Sequence, residues 1–146
     1  MKEQTKYRSL LSQEHFSDRP LDAEAGIIVG IGYGCGKEGL VLGKELARLL
    51  RAPVGASRAA VSAGYLPFAQ QIGISNRHVR PHVYVALGIS GAVQHMAGLR
   101  GTEVILAINK DPDAPVHKNA ACSIIGDVRI VLPALIAELK SSGFED

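Results

Sequence analysis

The chain has 146 residues, a size that suits one domain, and 47% of them are apolar while only 5% are aromatic. Sixteen basic residues stand against fourteen acidic ones, which gives no sign of a nucleic-acid surface, and no apolar run reaches the ~20 residues needed to cross a bilayer. The two cysteines, Cys35 and Cys122, lack metal-ligand spacing, and the polar N-terminus lacks the apolar centre of a secretory signal. These features predict a soluble cytoplasmic protein with no metal site, no nucleic-acid partner and no membrane insertion.

A polar arm and an alternation of strands and helices are predicted along the chain. Residues 1–22 mix charges with little periodicity, so we interpret them as an arm or linker with a short helix near residues 7–11, and we place the globular domain at 23–146. The predicted elements are a strand (25–32), a glycine-rich loop and helix (37–50), a strand (53–57), a short helix (59–63), a short strand and turn (70–76), a strand from 83, a helix ending at Gly98, a strand (104–108), helical turns (114–120), a last strand (122–127) and a closing helix (128–140).

The central stretch of the chain is HVYVALGISGAVQH, residues 82–95. An apolar strand reaches Gly88, a small-residue turn follows, and a helical pattern begins near Gln94 and His95. The first N–H groups of a helix lack partners within it, so such a turn favours an anion. Glycines at tight strand-to-helix turns also have a purely steric explanation, and the residues alone leave both readings open.

Repeated strand and helix segments with short connections predict an α/β domain, a doubly wound parallel sheet with helices on both faces and Rossmann-like topology. Polar residues gather where the strands end. Because the carboxyl ends of parallel strands share one edge, they predict a binding crevice for a large polar ligand. The residues at these ends are Arg58, Ser75, Ser90, Asn109 and Asp127.

Five segments, in order and at matching spacing, resemble the C-terminal FAD-binding domain of the electron transfer flavoprotein alpha subunit. They are GASRAAVSAGY, QIGISN, VALGISGAVQHMAG, AINKDPDAPV and IIGDV, and the resemblance covers about residues 21–139. The GISN form is similar to the branch of the family associated with acyl-CoA and carnitine metabolism, which implies a place in fatty acid oxidation.

The resemblance implies FAD lying across the strand ends. Arg58 and Ser57 would lie against the isoalloxazine ring, where a cation stabilises reduced, anionic flavin. Ser75 would donate near the flavin N5, and His95 would place a donor or cation near the pyrimidine carbonyl. The full set of implied cofactor-binding residues is Ser57, Arg58, Ile72, Gly73, Ile74, Ser75, Ser90, Gly91, Ala92, Val93, Gln94, His95, Asn109, Asp127 and Val128.

Three of these residues also have ordinary structural explanations. His95 suits a partly buried helix position, while Asn109 and Asp127 suit turns or helix N-caps. The chain departs from the family at two sites. It reads Gly32-Tyr33-Gly34 in the loop where members carry an arginine, so that one flavin contact is missing or is replaced by Tyr33, and it has Ala121-Cys122-Ser123 where they usually have Asp-Tyr-Gly. The resemblance further implies that the printed sequence does not include the N-terminal domain of a full alpha subunit.

The resemblance implies an electron carrier module rather than a substrate-converting enzyme. FAD would take electrons from a partner dehydrogenase and pass them on, alongside a beta-like subunit, with self-association as a further expectation. The alternatives are a non-redox module that binds NAD or AMP, and a domain that only docks on another subunit.

Overall fold

A computed structural model describes residues 21–145 of the chain. The strands are β1 (Ile27–Ile31), β2 (Val54–Ala56), β3 (Val83–Leu87), β4 (Val104–Asn109) and β5 (Cys122–Ile125), and the helices are α1 (Gly36–Leu50), α2 (Arg58–Ser62), α3 (Val93–Ala97), α4 (Val116–Asn119) and α5 (Val128–Ser141). Within these residues the strands form one parallel sheet in the order β2-β1-β3-β4-β5. The predicted doubly wound α/β fold is confirmed, with a topological switch point between β1 and β3.

Helices cover both faces of the sheet because side chains alternate along each strand. Val29 and Ile31 face the side covered by α1 and α5, whereas Ile28 faces the opposite side. An ion pair between the buried Glu45 and Lys140 (3.2 Å) joins α1 to α5. On the opposite side the buried cluster contains Ile28, Ile72, Val79, Tyr84, Ile89, Leu99 and Val116. The core is therefore divided into two layers by the sheet.

Helix α1 shows how the sequence sets an element and its end. Leu46 and Leu49 are buried as its apolar stripe predicts. The helix ends at Arg51, which has the left-handed φ of +52°, and the Ala52 N–H donates to the Ala47 carbonyl (2.8 Å). This closure satisfies a carbonyl that the last turn would otherwise leave unpaired.

The segment 70–76 differs from the prediction of a short strand and turn. Gln71 and Ile72 each make one isolated parallel bridge, to Ala56 and Arg77, and no strand forms. The Gln71 side chain donates to Asn76 Oδ1 (2.9 Å), which closes the segment into a turn before pairing can extend. A short 3₁₀ turn at Phe68–Gln70 precedes it.

The predicted arm lies almost wholly outside the described residues, as does its short helix near residues 7–11. Leu21, which the prediction places in the arm, is buried in the cluster with Ile28. Across residues 21–145 no helix combines the length and apolar character needed to span a membrane.

Candidate functional site: a cavity at the carboxyl edge of the sheet

The loops that follow β1 and β3 pack directly against each other. The Gly32 N–H donates to the Leu87 carbonyl (2.8 Å), and the Gly34 N–H donates to the Gly88 carbonyl (3.1 Å). Gly88 has a φ of +61°, and a Cβ there would lie 2.6 Å from the Cys35 nitrogen. Both the backbone conformation and the lack of space therefore require glycine. This contact sets the floor of the site at the switch point.

The end of β2 supplies a hydroxyl and a cation. Ser57 Oγ accepts a hydrogen bond from the Ala60 N–H (3.2 Å) and so caps α2. Arg58 is the first residue of α2 and is exposed. The cap fixes the direction in which the chain leaves β2, and it holds the Arg58 backbone at the edge where the other strands also end.

The segment 71–76 is tied to both of its neighbours by backbone hydrogen bonds. The Ile72 N–H donates to the Ala56 carbonyl (2.9 Å) at the end of β2. The Ile74 N–H donates to the Gln94 carbonyl (2.8 Å) in α3. The segment therefore bridges the end of β2 and the first turn of α3, and it forms the wall between them.

These loops enclose a cavity of about 1150 Å³, lined from the ends of β1 to β4. Its position agrees with the rule that open α/β sheets bind ligands outside the carboxyl ends of their strands, at the switch point. Most of the predicted cofactor-binding residues line it: Ser57, Arg58, Ile72, Gly73, Ile74, Ser75, Ser90, Ala92, Gln94, His95 and Asn109.

Four of the predicted residues, Gly91, Val93, Asp127 and Val128, do not line the cavity. Gly91 has a φ of +89°, and a Cβ there would lie 2.5 Å from the Val116 nitrogen. The positive φ and the contact with α4 therefore each require glycine at this position. Val93 is largely exposed at the start of α3.

Asp127 caps α5. Its Oδ1 accepts a hydrogen bond from the Arg129 N–H (2.9 Å), and its Oδ2 lies 2.8 Å from Arg129 Nη2. Hydrogen bonding from the Arg129 side chain, and then from its backbone, lowers the pKa of Asp127 to about 2. The structure thus gives Asp127 the helix N-cap role that the sequence left open, and Val128 is buried behind it.

Asn109 lines the cavity with both ends of its amide engaged by the protein. Its Nδ2 donates to the Ile89 carbonyl (2.8 Å), and its Oδ1 accepts from the Asp111 N–H (2.8 Å). The side chain therefore joins the end of β4 to the loop after β3.

His95 is buried, and its Nε2 lies 2.9 Å from the hydroxyl of the fully buried Tyr84. Burial lowers the pKa of His95 to about 4, with an opposing contribution from the backbone of Ile72. The ring is therefore neutral at neutral pH. Of the two roles that the resemblance allows, donor or cation, the burial favours the neutral donor.

Phe68 and Asn76 line the cavity without having been predicted as binding residues, and Tyr33, which the resemblance offers as a replacement for the family's loop arginine, lines it as well. Tyr33 stacks on Tyr65 with ring centroids 6.1 Å apart and planes 7° apart. The glycine loop was a signal for Tyr33. Phe68 carries no motif, and its place depends on the 3₁₀ turn before the segment 71–76.

Other reactive groups on the described part of the chain do not compete with this cavity. Among residues 21–145, no cluster of three or more His, Cys, Asp or Glu side chains could hold a metal ion. The Cys35 thiol is buried and donates to the Leu87 carbonyl (3.1 Å), and burial raises its pKa to about 12. Cys35 is therefore a packing residue, since the thiolate is the reactive form.

Comparison with known proteins identifies relatives over most of the described chain. Residues 23–100 match the family model of the electron transfer flavoprotein FAD-binding domain. An electron transfer flavoprotein subunit alpha from Thermoanaerobacterium thermosaccharolyticum is 50% identical over 118 residues, which are 80% of this chain and 36% of the relative. A subunit alpha from Paracoccus denitrificans is 48% identical over 124 residues, 84% of this chain and 40% of the relative.

The protein FixB of Clostridium saccharobutylicum is 50% identical over 119 residues, 81% of this chain and 36% of the relative. The chain thus spans little more than a third of the length of these relatives. Among solved structures, an enzyme from Mycobacterium smegmatis assigned as thiamin diphosphate-dependent shares the fold, with a TM-score of 0.51 at 22% identity over 89% of this chain and 27% of that one.

Proposed function

Since the chain belongs to the electron transfer flavoprotein alpha subunit family and carries its FAD-binding domain, we propose that it is an electron carrier module with FAD in the cavity described above. It takes electrons from a partner dehydrogenase and passes them to a downstream acceptor, with no substrate conversion of its own. The bound flavin supplies the redox chemistry, and the protein supplies binding, orientation and electrostatics.

The observation that carries the proposal is the cavity itself. Sites for drug-sized ligands measure ~300–1,000 Å³, so a cavity of about 1150 Å³ at the switch point suits a dinucleotide. It gathers a cation, hydroxyls and a buried imidazole from separate strand ends, and these are groups that the family resemblance implies for FAD binding. The His95 Nδ1 is also a buried polar atom without a hydrogen bond of ordinary geometry within residues 21–145, as expected where a ligand supplies the partner.

Each polar side chain in the cavity has a distinct role in this proposal. The guanidinium of Arg58 would hold the flavin ring and would stabilise its reduced, anionic form, since a nearby opposite charge favours the charged state. As the resemblance implies, Ser75 would donate to the ring, and Ser90 would bind the ribityl chain or the diphosphate. Asn109 would hold the two loops that bind the phosphates, and His95 would offer the flavin a neutral donor.

Two measurements test the proposal. First, adding FAD to the purified protein should perturb the visible flavin spectrum. Second, Arg58→Ala should lower the reduction potential of the bound flavin by tens of millivolts, since each tenfold change in a one-electron equilibrium corresponds to ~59 mV. Arg100→Ala is the matched control, because Arg100 is exposed and outside the cavity lining. A potential that stays unchanged in Arg58→Ala contradicts the role of Arg58. A protein that ignores FAD but is stabilised by NAD or AMP supports the non-redox alternative.

We also propose that a beta-like subunit covers the mouth of the cavity. Phe68 and Ile74 line the cavity and are more than half exposed, as is the neighbouring Tyr33. Contiguous exposed apolar groups beside a polar site are typical of an interface. Light scattering after co-expression with such a subunit should give a heterodimer that Phe68→Ser weakens and that Ile130→Ser, at an exposed position of α5 outside the cavity lining, does not. Self-association is the competing outcome.

The finer assignment is to fatty acid oxidation in the cytoplasm. Its support is the Gly73-Ile74-Ser75-Asn76 segment, which lies in the cavity wall. Faster reduction of the bound flavin by an acyl-CoA dehydrogenase than by other dehydrogenases is the expected result, and equal rates would count against it.

A further inference from the structure

Tyr84 and His95 form a buried polar pair behind the cavity wall. Tyr84 lies in β3 and is fully buried, and His95 lies in α3 with 6% of its surface exposed. The Tyr84 hydroxyl and His95 Nε2 are 2.9 Å apart, and the two rings are tilted by 48° with centroids 5.9 Å apart. The contact joins the sheet to α3, whose residues Gln94 and His95 line the cavity.

The direction of this hydrogen bond follows from what each group can donate. A phenol has one proton, and within residues 21–145 the partner of the Tyr84 hydroxyl is His95 Nε2. If Nε2 carried a hydrogen and donated it, the phenol proton would be left in a dry site without an acceptor, at a cost of ~1–3 kcal/mol. The arrangement in which Tyr84 donates and Nε2 accepts leaves only the Nδ1 hydrogen in need of an acceptor, whereas the reverse arrangement leaves both the phenol proton and Nδ1 without a partner among residues 21–145.

Both groups are uncharged at neutral pH, which the assignment requires. Burial, and then the nearby Cys35, raise the pKa of Tyr84 well above its usual value. Burial lowers the pKa of His95, so the ring holds one hydrogen. With Nε2 accepting, that hydrogen is on Nδ1, a buried atom that makes no hydrogen bond of ordinary geometry within residues 21–145, and the backbone of Ile72 interacts with the ring.

We propose that Tyr84 is a positioning residue that fixes His95 as the neutral tautomer protonated at Nδ1, so that the imidazole meets a cofactor as an N–H donor and not as an acceptor. The donation from His95 Nδ1 to FAD rests on the proposed function. The tautomer itself is a property of the protein alone.

The surrounding residues hold the Tyr84 hydroxyl in one place. On the neighbouring strand β1, a Cβ at Gly30 would overlap the Tyr84 hydroxyl and ring carbon Cζ. The phenol therefore lies across Gly30 in space that any other residue would fill. The packing of the ring thus places the hydroxyl oxygen beside His95 Nε2, the partner to which it donates.

The first experiment uses the protein without FAD. Long-range ¹H–¹⁵N NMR of the His95 ring should show the hydrogen on Nδ1 and an accepting Nε2. In Tyr84→Phe a fraction of His95 protonated at Nε2 should appear, while Tyr65→Phe, which removes a phenol outside the cavity lining, should keep the wild-type pattern. A wild-type ring protonated at Nε2, or the same tautomer in Tyr84→Phe as in wild type, overturns the proposal.

The second experiment adds FAD and separates the two hypotheses. The His95 Nδ1 resonance should shift on binding, and Tyr84→Phe should bind FAD roughly two- to tenfold more weakly, as for the loss of one net hydrogen bond, with Tyr65→Phe unchanged. If FAD binds but neither Nδ1 nor the affinity of Tyr84→Phe changes, the donor role is wrong. If wild type does not bind FAD at all, the proposed function fails, and the tautomer result still stands on the first experiment.

Discussion

The two halves of the sheet differ sharply in how closely they are packed. In the switch-point half, which comprises β1, β3 and the loops that follow them, most strand residues are buried, and the loops share backbone hydrogen bonds. In the edge half, which comprises β5 and the start of α5, all four strand residues are exposed, Ile125 by 60%. The cavity is built against the first half and extends no further towards the edge half than Asn109 at the end of β4.

This difference shows where residue identity is tightly constrained. In the switch-point half even one added carbon would overlap the backbone of another segment. A Cβ at Gly88 would lie 2.6 Å from the Cys35 nitrogen, and a Cβ at Gly91 would lie 2.5 Å from the Val116 nitrogen. In the edge half Asp127 and Arg129 interact with each other in solvent. Substitutions in the first half should therefore alter both folding and the site, and those in the second should have small, local effects.

Gly91→Val should have the largest effect on stability. A β-branched residue is strained at a φ of +89°, and its Cβ would overlap the Val116 backbone. Strain of ~1–3 kcal/mol and overpacking of ~1–3 kcal/mol together predict a loss of at least about 3 kcal/mol in the free energy of unfolding, measured with urea.

Gly64→Val separates the two contributions to that loss. Gly64 has a similar φ of +82°, but nothing lies within 4 Å of the Cβ position. It should show the strain without the overlap, and so lose clearly less stability than Gly91→Val. Equal losses would mean that contact with α4 adds nothing, and that the switch-point half is less constrained than the structure indicates.

The titration of His95 should have the next largest effect. Its folded pKa of about 4 lies below the ordinary value of 6.5, so the unfolded chain binds this proton first. The stability is therefore complete above about pH 6.5 and declines as the pH falls towards 4, by up to about 3 kcal/mol. Urea unfolding at several pH values checks this. The variant His95→Gln should lack this part of the decline, and the control His78→Gln, which changes an exposed histidine, should keep it. If the plots of unfolding free energy against pH are parallel for His95→Gln and wild type, the buried neutral ring is contradicted.

The strands and the gathering of polar residues could be predicted because both depend on local pattern. Short apolar runs that end in glycine or polar residues indicate buried parallel strands, and parallel strands necessarily end at one edge. The sequence thus placed Arg58, Ser75 and Ser90 together correctly. It overextended the last strand to 127, because the apolar run ends at Ile125 and Asp127 already caps α5.

Contacts between distant residues could not be predicted. Nothing local to Gly91 indicates Val116, and nothing near Tyr84 in the sequence shows that its hydroxyl meets His95 across Gly30. These contacts depend on how two loops and a strand come together. For the same reason, a ligand and a neighbouring helix were equally good explanations of a small residue at position 91 before the fold was known.

Asp127→Ala should have the smallest effect, since the pair that it breaks is exposed and solvent screens it. It removes the N-cap of α5 and its ion pair with Arg129, so the urea midpoint should fall slightly. Asp127→Asn keeps a good N-cap residue and should fall less. Because the pKa of Asp127 is lowered from 3.8 to about 2, the ion-pair contribution is complete above pH 4 and is lost as the pH falls towards 2.

Flavin affinity should stay close to that of wild type in both variants. An affinity that falls more than the stability would instead support the adenosine contact that the resemblance predicts, and would show that the edge half takes part in the site.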